Sequence, residues 1–508
     1  MLPLAQAAQA TLDLPEVAWR AIAPELALLA AGVVTILWVA FLPRQRGPVV
    51  FLTFAGLVAA AVFTAWNWDL EQVAFEGAFA ADGITRYARV VLLAAGALAT
   101  LLIAADQDED RRVPPEVLPL LLFALTGMTL LAAASDLLVA FIALEILSLS
   151  LYVMVGATGR RRAREASMKY FLLGAFSSAF LIYGIALVYG ATGTTALGGI
   201  ADAVADATVD TRLLLAGTAL IAVGFCFKVA AVPFHMWTPD VYQGAPSSIT
   251  AFMAAATKTA AFAVFLRVFV GGLGGLATSW RPVIAAVAAI TMLVGAVLAV
   301  IQTDVKRMLA YSSVNHAGYV LIGLAAASQE GISASLFYLL AYALMVMGAF
   351  AVVQYAERGQ LVGADDPENG DTSLDRWRGF GRRHPLAGGL LALFLFSLAG
   401  IPPALSGFWA KYFVFQAGVD AGLAWLVVIG VVSSVIAAFL YLRIVVVTFL
   451  TEPTAEQVKA AGDLGARGRL TSPALDFALV AAGALTVALG FAPQALVTAA
   501  ESAGRILG

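Results

Sequence analysis

Residues 213–234 read LLLAGTALIAVGFCFKVAAVPF, with Lys228 as the one charge and Pro233 near the end. The stretch is long enough to cross a bilayer as a helix, which takes about 18–20 apolar residues. Proline removes a backbone donor and opens the helical ladder, so the run Phe234-His235-Met-Trp-Thr-Pro239-Asp240 reads as a break. Inside a bilayer such a break survives only where protein or water lines it. This window therefore predicts an all-α membrane protein with an interruption beside a buried cation.

The rest of the chain agrees. Of 508 residues, 61% are hydrophobic and 12% charged, against about 25% charged in soluble domains. Apolar windows number about fourteen, near 24–42, 48–66, 84–104, 116–133, 136–156, 167–190, 213–233, 248–270, 282–301, 308–326, 332–356, 386–417, 423–449 and 474–499. The window 386–417 is too long for one straight span and is expected to break at Pro402-Pro403. Span 7 and span 12 are thus both broken, and each holds a lysine, Lys228 and Lys411. Broken helices in corresponding positions suggest two inverted five-helix repeats. Spans 4–8 and 9–13 give the division 1–115 for helices 1–3, 116–271 and 272–450 for the repeats, and 451–508 for a loop and helix 14.

Lysine and arginine set the orientation. One set of alternate loops holds Arg44, Arg46, Arg111, Arg112, Arg160, Arg161, Arg162, Arg164, Lys306, Arg307, Arg376, Arg378, Arg382, Arg383, Lys459, Arg467 and Arg469. The opposite set holds Asp69, Glu71, Glu76, Asp202, Asp206, Asp210, Glu330 and Asp420. The basic set belongs in the cytoplasm, which puts both termini on the outer face of a multi-pass bacterial inner-membrane protein. Met1–Pro24 lacks the basic region of a secretory signal and carries Asp13 and Glu16, against a transit peptide.

Several functions drop out. Cys226 is the single cysteine, so no iron–sulfur cluster or disulfide is built within the chain. No phosphate-binding glycine loop is present, and Gly271, Gly272, Gly274 and Gly275 read as a flexible loop. No cofactor or metal site is expected, and a net charge of −3 gives no reason for a nucleic-acid partner. The segment Ser373–Phe380 reads as a short amphipathic turn or a solvated loop with basic anchors.

Four charges break the apolar windows. Glu145 is alone in 137–157, Lys228 in 213–234, Lys258 in 249–266 and Lys411 in 386–419. Lys258 stands about nine residues, or about 14 Å, into its helix, near the middle of a core about 30 Å thick. A charge there costs about 2.5–3.5 kcal/mol or more. Burial favours the neutral form of an ionisable group and pairing favours the charged one, so a Glu–Lys pair whose spacing changes is a proton switch, and successive lysines are stepping stones. The plainer reading is a set of static ion pairs. Four such residues on separate helices weigh toward the relay. His235 and Asp240, at the broken end of span 7, are candidates for a gate, weighed against capping. His316 and Tyr311, in or near span 10, are candidates for a water chain, weighed against a satisfied core histidine. Lys306 and Asp304 read as loop residues, Arg443 as a snorkelling side chain, and Trp237 and Trp409 as packing.

The runs Glu145-Ile-Leu-Ser-Leu-Ser-Leu-Tyr, Lys169-Tyr-Phe-Leu-Leu-Gly-Ala-Phe-Ser-Ser, Gly224-Phe-Cys-Phe-Lys228 through Pro246, Lys306-Arg-Met-Leu-Ala-Tyr-Ser-Ser, and Gly400-Ile-Pro-Pro through Lys411 resemble the antiporter-like, proton-conducting membrane subunits of complex I and of multisubunit cation/proton antiporters. The resemblance is strong over about residues 120–450. The wording Asp240-Val-Tyr-Gln-Gly-Ala-Pro, a lysine at 411, and an end soon after span 14 resemble the subunit N branch. The resemblance implies that Glu145 and Lys228 form the switch pair, Lys258 the central relay and Lys411 the exit-side residue. It implies NADH, FMN, iron–sulfur clusters and quinone in partner subunits, and contacts with antiporter-like subunit M, the small subunits neighbouring N, and the lipid bilayer. The competing readings are a subunit of a sodium/proton antiporter or membrane-bound hydrogenase, a structural scaffold, and a solute transporter. On the leading reading, Lys228→Ala or Glu145→Ala in the assembled enzyme suppresses proton pumping driven by NADH oxidation. Full pumping in both variants removes the switch.

Overall fold

The computed structural model describes residues 18–42, 46–108, 113–206, 209–358, 372–401, 405–454 and 472–504. The side chains of Arg44, Arg46, Arg111, Arg112, Lys459, Arg467 and Arg469, both termini, and Pro402-Pro403 lie outside that description. The architecture is helical and of membrane type. Among the described residues, eleven helices are long and apolar enough to cross a bilayer. Two shorter apolar helices, Val117–Ala133 and Pro385–Ala399, accompany them.

Both predicted breaks are present. The helix Thr211–Val229 stops at Ala230, whose φ of 64° is left-handed, and the chain resumes as the short helix Trp237–Gly244. The helix Pro385–Ala399 stops at Gly400, φ 73°, and the chain resumes as Ser406–Asp420. A left-handed residue closes a helix by turning its own N–H back onto the last carbonyls. Ala230 does so toward Cys226 and Phe227, and Gly400 toward Phe396 and Ser397. Ala230 adopts this conformation despite its Cβ.

Other readings need correction. The last window is two helices, Pro473–Phe491 and Gln494–Ala503, because Pro493 interrupts the ladder. The glycine run is no loose loop: helical winding continues through Gly272, and Gly274–Leu276 forms a 3₁₀ turn. Ser373–Phe380 is docked, not solvated, with Trp377 fully buried and Leu374 N–H bonded to Thr303 O at 2.7 Å. A two-stranded hairpin, Gln72–Ala74 with Phe79–Ala81, interrupts the all-helical pattern outside the spans.

Loop contacts sort into two ends. At one end, Arg307 and Lys169 both reach Asp240, and Asp304 bridges Ser373. At the other, Ser135 N–H meets Ala78 O, and Leu137 N–H meets Thr195 O. The basic loops that are described share the first end and the acidic ones the second, as alternating spans require.

Two helices run through the interior. The helix Ser247–Gly272 is wholly buried and Gln329–Arg358 nearly so, whereas Trp19–Phe41, Gly47–Trp66, Arg161–Thr192 and Ala424–Leu450 are mostly outward-facing. Wrapped between these, Val305–Ala326 touches Trp237–Gly244, Ala277–Ile301, Gln329–Arg358, Ser406–Asp420 and Ala424–Leu450. It therefore contacts both broken helices.

Two buried ion pairs fasten the first and third helices, and no single window announced them. Arg267 donates from Nη1 and Nη2 to the two oxygens of Asp82, each at 2.7 Å, and from Nη2 to Thr85 Oγ1 at 3.0 Å. Arg89 grips Glu25 in the same two-pronged way, at 2.9 and 2.8 Å. Removing one member of such a pair strands a buried charge, at a cost of about 3–5 kcal/mol. Arg267→Leu is therefore expected to lower the thermal unfolding temperature of the detergent-solubilised protein sharply. Arg378→Ala, which breaks a largely exposed pair with Asp375, is expected to leave it unchanged. Equal effects from the two would deny Asp82–Arg267 its structural role.

Candidate functional site: a buried lysine track

Lys228 lies in the last turn of Thr211–Val229, two residues before the left-handed Ala230. The helix approaches Arg161–Thr192 closely because Gly224 has no Cβ; one placed there would stand 2.8 Å from Cβ of Leu181. Lys228 Nζ donates to Ser148 Oγ at 2.7 Å. It also faces the rings of Tyr170 and Tyr152, at 5.4 and 5.9 Å, a cation–π arrangement. Tyr170 in turn stacks on Trp237, with centroids 4.6 Å apart, and Trp237 Nε1 donates to Phe227 O at 2.9 Å.

Glu145 sits one turn before Ser148 on Leu137–Gly156, is half-buried, and accepts a bond from Ser178 of the neighbouring helix. The expected Glu145–Lys228 ion pair is not formed directly. Ser148 takes the ammonium and Ser178 takes the carboxylate. A cavity of about 10 Å³ lined by Tyr152, Ser177, Ser178 and Lys228 lies between the two partners, space for about one water.

Lys258 occupies the interior of Ser247–Gly272. The turn before it, Met253–Thr257, is wound as a π-helix, a widening that frequently marks functional positions. Nothing in the uniform apolar window revealed it. Lys258 Nζ donates to the backbone O of Ser313 and faces the Tyr342 ring at 5.6 Å.

Lys411 belongs to Ser406–Asp420, yet its side chain reaches back across the break. Nζ donates to Ala399 O at 2.8 Å, the last carbonyl of the preceding half-helix, and faces the Tyr319 ring at 4.8 Å. Gly400 makes room: a Cβ there would press on Lys411 Cδ at 2.9 Å.

His316 is buried, with both ring nitrogens hydrogen-bonded, and stands between the tyrosines that face Lys258 and Lys411. Its Nδ1 is 2.6 Å from Tyr338 Oη and its Nε2 3.1 Å from Tyr441 Oη; in the neutral ring one nitrogen donates and the other accepts. Its ring contacts both Tyr342, at 5.0 Å, and Tyr319, at 5.8 Å. Those are the rings that face Lys258 and Lys411. Ser312, Tyr441, Tyr319, Ser433, Ser434 and Asn315 extend this polar seam. His316 and Tyr319 share a helix face at i and i+3.

The remaining candidates fall elsewhere. His235 and Tyr311 are half-buried and pack ring to ring at 6.3 Å, away from the lysines. Asp240 receives Lys169 Nζ at 2.8 Å and Arg307 Nη1 at 2.7 Å, so it anchors the short helix Trp237–Gly244 to two neighbours. Arg443 does not snorkel but donates to Val300 O and Gln302 O. Lys306 is no loop residue: it is buried.

The family model described as NADH:quinone oxidoreductase/Mrp antiporter, TM, matches residues 134–437. A protein of Rhodococcus opacus (strain B4) described as NADH-quinone oxidoreductase subunit N is 44% identical, covering 98% of each chain. One of Acidothermus cellulolyticus with the same description is 45% identical, covering 96% of each. Among solved structures, a chain of respiratory complex I from Thermus thermophilus with bound aureothin is 34% identical, with a TM-score of 0.78, over 94% of this chain and 99% of that one.

Proposed function

The chain belongs to the antiporter-like membrane-subunit family of NADH:quinone oxidoreductase and Mrp antiporters, and from that membership we propose that it carries protons through its buried lysines as part of NADH–quinone oxidoreductase. Relatives named subunit N match it over nearly the full length, which favours the oxidoreductase over a pure antiporter. Electron transfer from NADH through FMN and iron–sulfur clusters to quinone then belongs to partner subunits. Subunit M and the small membrane subunits beside N are the expected neighbours. The basic end faces the cytoplasm of a bacterial inner membrane, with both termini on the outer face. The two broken helices are equivalent members of repeats 116–271 and 272–450, and His235, Asp240 and Tyr311 act on the geometry of the first break.

One observation carries the relay: His316 bridges the tyrosines that face Lys258 and Lys411. An ammonium gives up one proton and becomes a neutral amine; the next amine takes that proton and becomes the ammonium. Glu145 biases Lys228 through Ser148 and the small cavity, so approach of the carboxylate holds the proton and its withdrawal releases it. The buried Tyr170 and Thr257 hydroxyls have no protein partner, and such groups are commonly satisfied by water. They flank Lys228 and Lys258, which supports a hydrated path between the two.

Lys258→Met and His316→Ala in the assembled enzyme are expected to lower NADH-driven acidification of proteoliposomes several-fold, while NADH oxidation by an artificial acceptor at the peripheral arm stays normal. Undiminished acidification in both sinks the relay. Ser148→Ala is expected to slow quinone reduction, whereas Ser150→Ala, whose hydroxyl only bonds Ile146 O of its own helix, is expected to be silent. Matching rates for these two serine variants would remove Ser148 from the switch.

A further inference from the structure

At the basic end, four helices bring a second group of ionisable side chains together, apart from the Glu145–Lys228 pair. Ser247 Oγ donates to Glu357 Oε2 at 2.7 Å. Lys306 Nζ lies 3.6 Å from Glu357 Oε1 and donates to Ala245 O at 2.7 Å. Behind them Asp106 accepts from Ser248 Oγ at 2.7 Å and Gln354 Nε2 at 2.8 Å. Lys306 is 5% exposed at its side chain and Glu357 24%, so Glu357 is the end that meets water.

The cluster points inward to Lys258. Ser313 lies seven residues beyond Lys306 on the same helix, hence on nearly the same face and about 10 Å deeper. Its carbonyl is the acceptor of Lys258. Hydroxyls line part of the interval: Tyr242 Oη is 3.5 Å from Ser313 Oγ, and Thr250 Oγ1 donates to the Tyr242 backbone O at 3.2 Å. Ala245, which holds Lys306, is in the same turn as Tyr242.

Residue type separates this pair from the clamps of the fold. The static buried pairs use arginine, gripped at 2.7–2.9 Å by both prongs, and arginine does not deprotonate. The buried cations of the track are Lys228, Lys258 and Lys411, and Lys306 is a lysine held loosely from its carboxylate. We infer that Glu357, Ser247 and Lys306 form a proton inlet from the basic face to Lys258 that bypasses Glu145 and Lys228. Glu357, protonated from water, passes its proton to neutral Lys306. Lys306 passes it on to neutral Lys258 through water beside the Tyr242 and Ser313 hydroxyls. The Glu357 carboxylate then takes a new proton from water, so one proton moves inward per cycle.

The inlet rests on the lysine relay, and the test separates the two. In the assembled enzyme in proteoliposomes, Lys306→Arg keeps the charge and the bond to Ala245 but removes proton release. Glu357→Gln keeps an acceptor for Ser247 but removes the proton. Both are expected to lower NADH-driven acidification several-fold, as Lys258→Met does, and Glu357→Asp to restore most of it. Normal acidification in Lys306→Arg and Glu357→Gln beside a defective Lys258→Met overturns the inlet and leaves the relay. Normal acidification in all three overturns both. If Lys306→Arg fails to assemble, Glu357→Gln alone decides: lowered acidification supports the inlet and normal acidification overturns it.

Discussion

An ammonium group inside a bilayer must be given electron density to replace water, and Lys228, Lys258 and Lys411 receive it in one recurring form. Each has a hydrogen-bond acceptor, Ser148 Oγ, Ser313 O or Ala399 O, and the face of at least one tyrosine. Among the described residues none of these three is matched by a carboxylate in contact. A full ion pair would hold the proton too firmly to pass it on, whereas a carbonyl and a π face stabilise the charge only in part.

Helix interruption supplies much of that electron density. The carbonyl end of a helix is its negative pole. Lys228 sits in the final turn of one half-helix, and Lys411 reaches back to the last carbonyl of another. The two lysines lie on opposite sides of their breaks in sequence; Lys411 Nζ reaches the last carbonyl itself, whereas Lys228 Nζ turns to Ser148. Ala230 and Gly400 create both positions by ending the helices in the left-handed conformation. Lys258 has no break; a π turn adjoins it instead.

The molecule separates holding from moving by choice of cation. Arg89–Glu25 ties the first helix to the third, and Arg267–Asp82 ties the start of the third to Ser247–Gly272, with two-pronged bonds deep in the interior. Val305–Ala326 carries Lys306, Ser312, Ser313, His316 and Tyr319 along its length.

Hydropathy, charge and proline by themselves pointed to the membrane class, the places of the two breaks and the burial of Lys228, Lys258 and Lys411. Water, lipid and proline act on single residues or short windows, so their demands are written locally. Only the tertiary structure decided who meets whom. It gave Lys228 to Ser148 and Glu145 to Ser178, placed His316 between the tyrosines that face two lysines, buried Lys306 against Glu357, and packed His235 against Tyr311. Most of those contacts join helices tens of residues apart, and direction and distance between packed helices are not properties that any one stretch of sequence carries.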